Sequence, residues 1–279
     1  MHDKKILITG GSGFLGANLV DRLYSYNTIR VVARNEGKLI QLQEKYPKIE
    51  IYPGDISDAF VCRQACKNID TVFHLAGFKH VGLAEKFVKE NVSTNVIGSI
   101  NILNESLNNI KTVIATSTDK AANVSGTYGA SKLLMERLFK QYETINPNCE
   151  YKIVRYGNVL YSTGSVLCKW RENIIAGKPI VITDRAATRF FWTVDQAVDL
   201  IFSCLAHSKD ASPYCPTMKS IEMGALLEAM IIKYGNNQTI SVKEIGLQHG
   251  ENKHERILEN GPFSNETEQF TIEEIIELI

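Results

Sequence analysis

Tyr128 and Lys132 stand four residues apart in Tyr128-Gly129-Ala130-Ser131-Lys132, a spacing that puts both side chains on one face of a helix. An ammonium beside a phenol lowers the phenol's pKa from about 10 towards working pH. The phenolate can then take the proton of a substrate hydroxyl while hydride leaves the adjacent carbon. Thr118, which ends the run Thr116-Ser117-Thr118, is placed to hydrogen-bond the same oxygen. A Tyr and a Lys at this spacing occur in many helices, so the reading depends on a hydride carrier elsewhere in the chain.

Thr9-Gly10-Gly11-Ser12-Gly13-Phe14-Leu15-Gly16 is the element that would hold one. It follows the first apolar run directly and opens a helix, with Gly10, Gly13 and Gly16 spaced three apart. A side chain at the first would block the turn, one at the second the approach of a pyrophosphate, and the third lets helix and strand pack closely. The helix N-terminus then offers amide donors and a favourable dipole to phosphates. The sequence thus predicts a dinucleotide site that includes Thr9, Ser12, Phe14 and Leu15. An NAD site usually carries a carboxylate at the tip of the second strand. This chain has Ala33-Arg34-Asn35 there, with Lys38 close behind, and Arg34 and Lys38 can bracket a 2′-phosphate. NADP is therefore favoured over NAD, the alternative being two solvated surface charges. Asp55 and Ile56 are expected at the adenine edge, Ala76 and Gly77 along the cofactor, with Lys79 and Asn95 completing the set.

The elements that must position these groups alternate. Short runs, Ile6-Leu7-Ile8, Ile29-Arg30-Val31-Val32, Ile49-Glu50-Ile51, Thr71-Val72-Phe73, Thr112-Val113-Ile114 and Lys152-Ile153-Val154, are separated by segments of helical periodicity. Strands divided by helices imply parallel crossovers and a sheet covered on both faces. The expectation is an α/β, Rossmann-type doubly wound sheet over 1–157 that carries cofactor and catalytic residues. A smaller substrate-binding lobe over 158–279 would lie across the strand C-termini, the chain crossing between the two. Helices are expected near Val194–Leu205 and Ile221–Tyr234, long ones over Ala84–Leu107 and Tyr128–Tyr142, and a short capped one at Thr271–Ile276.

Together these features resemble the extended short-chain dehydrogenase/reductase superfamily over nearly the whole chain. Ser117-Thr118-Asp119-Lys120-Ala121-Ala122, Tyr128-Gly129-Ala130-Ser131-Lys132, Arg155-Tyr156-Gly157-Asn158-Val159-Leu160, Thr188-Arg189-Phe190 and Phe78-Lys79-His80-Val81 are similar to the inverting, 5-epimerising UDP-N-acetylglucosamine 4,6-dehydratases. Relatives that retain configuration carry Thr-Asp-Glu where this chain has Thr118-Asp119-Lys120. The resemblance implies oxidation at carbon 4, which makes the carbon 5 proton acidic. Lys120, held neutral by burial and neighbouring charge, would remove that proton. Asp119, protonated, would donate to the departing carbon 6 hydroxyl, and hydride return with inversion would give a 4-keto-6-deoxy sugar. The substrate implied is a UDP-sugar, UDP-N-acetylglucosamine by preference, with Lys79, Asn158, Val166, Thr183, Arg189 and Glu251 at its site. Gly250-Glu251-Asn252-Lys253-His254-Glu255 departs from the family stretch at Asn252, as does Gln248 before it. The chain is also short at its C-terminus for this family, and a homo-oligomer paired through its long helices is implied. A UDP-sugar 4-epimerase would use the same Tyr and Lys but needs no acid–base pair at carbons 5 and 6. A non-catalytic dinucleotide sensor would be expected to lack Tyr128 or Lys132.

Composition narrows the partners. Over 279 residues, 31 basic side chains balance 31 acidic ones, which argues against nucleic acid or an anionic membrane as the main partner. The six cysteines form no CxxC pair, and no His/Cys pattern has metal spacing. Reduced thiols, no metal, no membrane span and a cytoplasmic location are the expectation.

Overall fold

A computed structural model describes residues 1–236 and 238–279. The six β-branched runs become β1 (Lys5–Thr9), β2 (Thr28–Ala33), β3 (Glu50–Pro53), β4 (Thr71–His74), β5 (Thr112–Thr118) and β6 (Glu150–Tyr156). Between them lie α1 (Phe14–Leu23), α2 (Glu36–Lys45), α3 (Ala59–Ala65), α4 (Val81–Lys86), α5 (Val88–Val92), α6 (Gly98–Glu105) and α7 (Thr127–Ile145). The long helix expected over 84–107 is broken twice: Phe87 leaves helical geometry between α4 and α5, and a turn of π geometry, Ser93–Ile97, joins α5 to α6.

All strands of the main sheet are parallel, in the order β10-β6-β5-β4-β1-β2-β3, where β10 (Pro213–Tyr214) is added to the six. The chain runs one way from β1 through β2 to β3 and the other way from β4 outwards. This is the doubly wound topology, and it opens a crevice at the C-terminal ends of β1 and β4. Successive side chains point to opposite faces. Ile6, Ile8, Val31, Phe73, Ile114 and Val154 therefore pack with Leu19 and Val20 of α1 on one side. Leu7, Val32, Val72, Val113 and Ile153 pack with Ile102 of α6 and Met135 and Phe139 of α7 on the other. Each such side chain contributes about 1.5–3 kcal/mol on full burial. Leu83, Phe87, Val88, Val92 and Leu134 stay exposed, on the helices that the resemblance assigns to subunit pairing.

After β6 come β7 (Asn158–Val159), α8 (Val166–Ile175), β8 (Ile180–Ile182), β9 (Thr188–Trp192), α9 (Val194–His207), β11 (Ser220–Glu222), α10 (Met223–Tyr234), β12 (Val242–Glu244) and α11 (Ile272–Leu278). The helix expected from Ile221 starts at Met223, because Ile221 pairs with Arg189 in a sheet of order β11-β9-β7. A third core, including Leu160, Trp170, Ile180, Phe191, Leu226 and Ile275, builds the smaller lobe. α9 opens on a capping box of Thr193 and Gln196 and returns to the main sheet, where Val198 and Ile201 join the α1 face. α11 is capped the same way by Thr271 and Glu274.

Arg155 ties the two lobes together behind the crevice. It is fully buried, and its five N–H groups reach Glu136 of α7 (2.8 and 2.6 Å), Glu259 (3.0 and 2.7 Å) and the Ile257 carbonyl (2.8 Å). Removing one partner of a buried pair strands the other's charge. Arg155→Met is accordingly expected to lose about 3–5 kcal/mol of stability, read by urea unfolding. A loss under ~1 kcal/mol, the worth of an exposed pair, would contradict the staple.

Candidate active site

A cleft of about 1130 Å³ runs across the C-terminal ends of the strands, from Gly10 and Ser12–Gly16 past Ala76–His80, Thr116–Thr118 and Lys120 to Asn158, Val166, Thr183, Arg189 and Glu251. That exceeds the roughly 300–1,000 Å³ of a pocket for one drug-sized ligand, so two large ligands can lie end to end. Tyr128 and Lys132 of α7 line its middle. Asp119, expected among the catalytic groups, is fully buried just behind the cleft wall because its carboxylate turns inward to Thr118 and Lys120.

One end fits a dinucleotide. Gly10 has φ +71°, and a Cβ there would stand 2.8 Å from the Ala76 amide nitrogen. A Cβ on Gly16 would come within 2.5 Å of the Gly10 carbonyl oxygen. Gly13 caps α1 with no side chain, which leaves room for a pyrophosphate at the helix amides. Arg34, Asn35, Lys38, Asp55 and Ile56 line the far wall, with Arg34 exposed and 3.7 Å from the Asp55 carboxylate. Asn35 spends its side chain on capping α2 at the Lys38 amide, 2.9 Å away.

Two expected cofactor residues do not reach the cleft wall. Thr9 is fully buried, and its hydroxyl meets His74 Nδ1 (2.9 Å) and accepts from the Ala76 amide (3.2 Å). Asn95, in the π turn, accepts from the Phe78 amide (2.7 Å) and donates to the Phe78 carbonyl (3.1 Å) and Ser131 Oγ (2.9 Å). Both hold the loop after β4 in place rather than line the cleft. A further polar group behind the cleft, carrying no motif signal in the chain, is His74, whose imidazole is pushed down to about 3, by burial first and then by Lys132. It works as a neutral bridge from Thr9 to Ser99 Oγ (3.0 Å).

The reactive groups cluster where β5 ends. Asp119–Ala121 forms a single 3₁₀ turn, and Gly129 is required because a Cβ there would collide with the Lys120 carbonyl. α7 lacks an N-cap of its own, and Glu85 of α4 accepts from both the Thr127 amide (2.5 Å) and its hydroxyl (3.0 Å). Thr118 Oγ1 donates to Asp119 Oδ1 (2.9 Å), as does Lys120 Nζ (3.0 Å). On its other side Lys120 meets Glu255 Oε1 at 3.4 Å. Asp119 and Glu255 are fully buried, while the Lys120 side chain keeps 14% exposure, enough for one side to face the cleft.

Two expected protonation states are corrected. Burial alone would favour a neutral Lys120, but the Asp119 and Glu255 carboxylates outweigh it and raise its pKa, so the amine stands protonated. Nor does Lys132 lower the Tyr128 phenol. Burial pushes that phenol above its ordinary value, and it is Lys120 and a hydrogen bond with Thr118 that pull it back. Lys132, pushed down to about 8 by burial, donates to the Thr116 carbonyl (2.9 Å). A Cβ on Gly77 would lie 3.5 Å from Lys132 Nζ, which places that amine on the cofactor side.

At the substrate end Arg189 is nearly buried, with Nη1 donating to the Thr188 and Lys253 carbonyls at 2.8 Å each. Lys79 Nζ donates to the Thr163 carbonyl (2.8 Å) and bridges the loops on either side of the cleft. From the 250–255 stretch Glu251 is the residue expected at the substrate. Glu251 lines the cleft, but the glutamate that meets Lys120 is Glu255, the last residue of the same motif. Among the described residues, no group of side chains has the makeup of a metal site, no helix is long and apolar enough to cross a membrane, and the cysteines are free thiols.

A doubly wound sheet, a glycine turn opening α1 and a Tyr–Lys pair on α7 define an extended short-chain dehydrogenase/reductase. Within that class the chain belongs to the polysaccharide biosynthesis protein family, whose model matches residues 6–277. It is 33% identical over 263 residues to an inverting UDP-N-acetylglucosamine 4,6-dehydratase of Campylobacter jejuni, covering 91% of this chain and 77% of that one. It is 31% identical over 272 residues to a UDP-glucose 4-epimerase of Rickettsia akari, covering 92% and 78%. The crystal structure of Pen from Bacillus thuringiensis superposes with a TM-score of 0.94 at 29% identity, covering 100% of this chain and 97% of that one.

Proposed function

We propose that the protein is an NADP-dependent UDP-N-acetylglucosamine 4,6-dehydratase that inverts carbon 5. The observation that carries this reading is the Asp119–Lys120 pair at 3.0 Å, walled in by Glu255 beside Tyr128. A 4-epimerase, the activity named for the Rickettsia relative, uses Tyr128 but has no step for an acid and a base at carbons 5 and 6. Similarity to the Campylobacter dehydratase and to the Rickettsia epimerase alike supports an enzyme acting on UDP-sugars, and the choice between the two rests on the Asp119–Lys120 pair.

The dinucleotide, held by Gly10–Gly16, Arg34, Lys38, Asp55, Ala76 and Lys132, supplies the hydride acceptor and donor when bound. Tyr128 Oη, once ionised, takes the proton of the carbon 4 hydroxyl; burial raises its phenol above the ordinary value, and Lys120 and Thr118 bring it part of the way back. Lys120 Nζ, once neutral, takes the proton from carbon 5. Asp119 stands behind the cleft wall, hydrogen-bonded to Thr118 and Lys120, which line it, and is the source of the proton that goes to the carbon 6 oxygen as it leaves. Arg189 binds the diphosphate with the guanidinium edge that its backbone contacts leave over.

The direct test is incubation with UDP-N-acetylglucosamine in deuterated water, followed by NMR of carbons 4, 5 and 6. A 4-keto-6-deoxy product with deuterium at carbon 5 is expected. A plain 4-epimer with hydrogen at carbon 5 would remove the dehydratase reading. For the cofactor, Arg34→Ala is expected to weaken NADP by roughly 10- to 100-fold, the worth of one hydrogen bond to a charged group, with far less effect on NAD. Titration of the cofactor-free protein reads this, and equal losses for both cofactors would return the choice to NAD.

A further inference from the structure

We propose that Glu255 is the group that takes the proton from Lys120 and so frees it to act as a base, a positioning residue one step behind the reacting carbon. The inference rests on the dehydratase reading and deepens it. A base that stands protonated between two carboxylates cannot abstract a proton until its own has gone somewhere. Asp119 is a poor destination, because its proposed task as an acid needs it already protonated.

Glu255 has the geometry for the task. Its Oε1 lies 3.4 Å from Lys120 Nζ, is fully buried, and has no hydrogen-bond partner among the described residues. Its Oε2 accepts from Asn252 Nδ2 (3.2 Å), and its amide donates to Ser264 Oγ (2.9 Å), so the side chain is held from behind and left open towards Lys120. Asp119, Glu255 and one ammonium in a dry pocket would leave an excess negative charge if both carboxyls were ionised; the proton that Asp119 carries as the acid relieves it, and Glu255 stays ionised to receive the proton of Lys120. The charged groups that act on Glu255 are Lys120 and Asp119 on the 3₁₀ turn and Arg189 on β9. Burial raises the Glu255 carboxyl above its ordinary value, opposed by Lys120 and Arg189.

The protons balance through the elimination. One N–H bond of the Lys120 ammonium breaks and an O–H bond forms at Glu255 Oε1, leaving the electron pair on nitrogen. That pair takes the carbon 5 proton, and Asp119 gives its proton to the leaving hydroxyl, which departs as water. The cluster then holds Asp119 ionised, Lys120 as ammonium and Glu255 protonated. Lys120 sits 3.0 Å from Asp119 Oδ1, passes a proton there, and takes the one held by Glu255. The three groups are back in their starting state, and the carbon 5 proton has in effect left with the water.

The test compares wild type with Glu255→Gln, Glu255→Asp and Asn252→Ala. Two steps are followed across pH with UDP-N-acetylglucosamine: nicotinamide reduction in a single turnover, and deuterium exchange at carbon 5. Glu255→Gln should lower the ratio of exchange to reduction about 100-fold, the low end of what a positioned acid or base contributes. It should also move the acid limb of the exchange profile to higher pH, since Lys120 must now lose its proton to water. Glu255→Asp should recover part of the ratio. Asn252→Ala removes a hydrogen bond that favours the ionised carboxylate, so the acid limb should again move upward, and this half-exposed change keeps the test open should Glu255→Gln not fold. An unchanged ratio in Glu255→Gln, equal losses in both steps, or an acid limb unmoved by Asn252→Ala would overturn the proposal. Wild-type protein that epimerises carbon 4 without exchange at carbon 5 would overturn the dehydratase reading first, and this inference with it.

Discussion

Lys120→Ala should arrest the enzyme with its cofactor reduced. Oxidation at carbon 4 depends on Tyr128 and can still proceed, whereas loss of the carbon 5 proton depends on Lys120, so elimination should fall by about 10²- to 10⁴-fold. On mixing with UDP-N-acetylglucosamine the reduced nicotinamide absorbance should rise and persist, and no deuterium should enter carbon 5. The same substitution leaves the fully buried Asp119 and Glu255 carboxylates without their cation, a loss of about 3–5 kcal/mol for a buried pair. A thermal melt must therefore accompany the kinetics. Wild-type turnover with normal deuterium uptake would sink the Asp–Lys argument and return most of the weight to a 4-epimerase.

Tyr128→Phe should have the larger effect on the first step and the smaller one on the fold. It removes one oxygen from a side chain that lines the cleft, at the cost of a single hydrogen bond with Thr118. Nicotinamide reduction and product formation should fall together by at least ~10²-fold, while cofactor binding and unfolding midpoint stay close to wild type. The two variants thus separate the halves of the reaction, one blocked before hydride transfer and one after it. Product formation above a few per cent of wild type would mean that some other group takes the hydroxyl proton.

Much of this was legible in the chain itself. The unbroken apolar run Ile6-Leu7-Ile8 specifies a strand buried on both faces, because successive side chains on a strand point to opposite sides whatever surrounds it. Gly10, Gly13 and Gly16 specify the turn, since only a residue without a Cβ fits at φ +71° against Ala76 or beside the Gly10 carbonyl. Tyr128 and Lys132 share a helix face by the period of the helix alone.

What the chain could not show are the contacts between residues far apart in it. Thr9 and Asn95 are expected in the cofactor set, yet the fold turns their side chains to His74, Phe78 and Ser131 and away from the cleft. The charge of Lys120 depends on Glu255, which arrives from the opposite lobe on a loop anchored through Arg155, Glu136 and Glu259. Sequence determined the sheet, the cofactor turn and the Tyr–Lys helix, because turn chemistry and side-chain periodicity act over a few residues. Tertiary structure decided the protonation state of the base and the identity of its neighbour, because burial and Coulomb interactions depend on distance in space, which separation along the chain does not reveal.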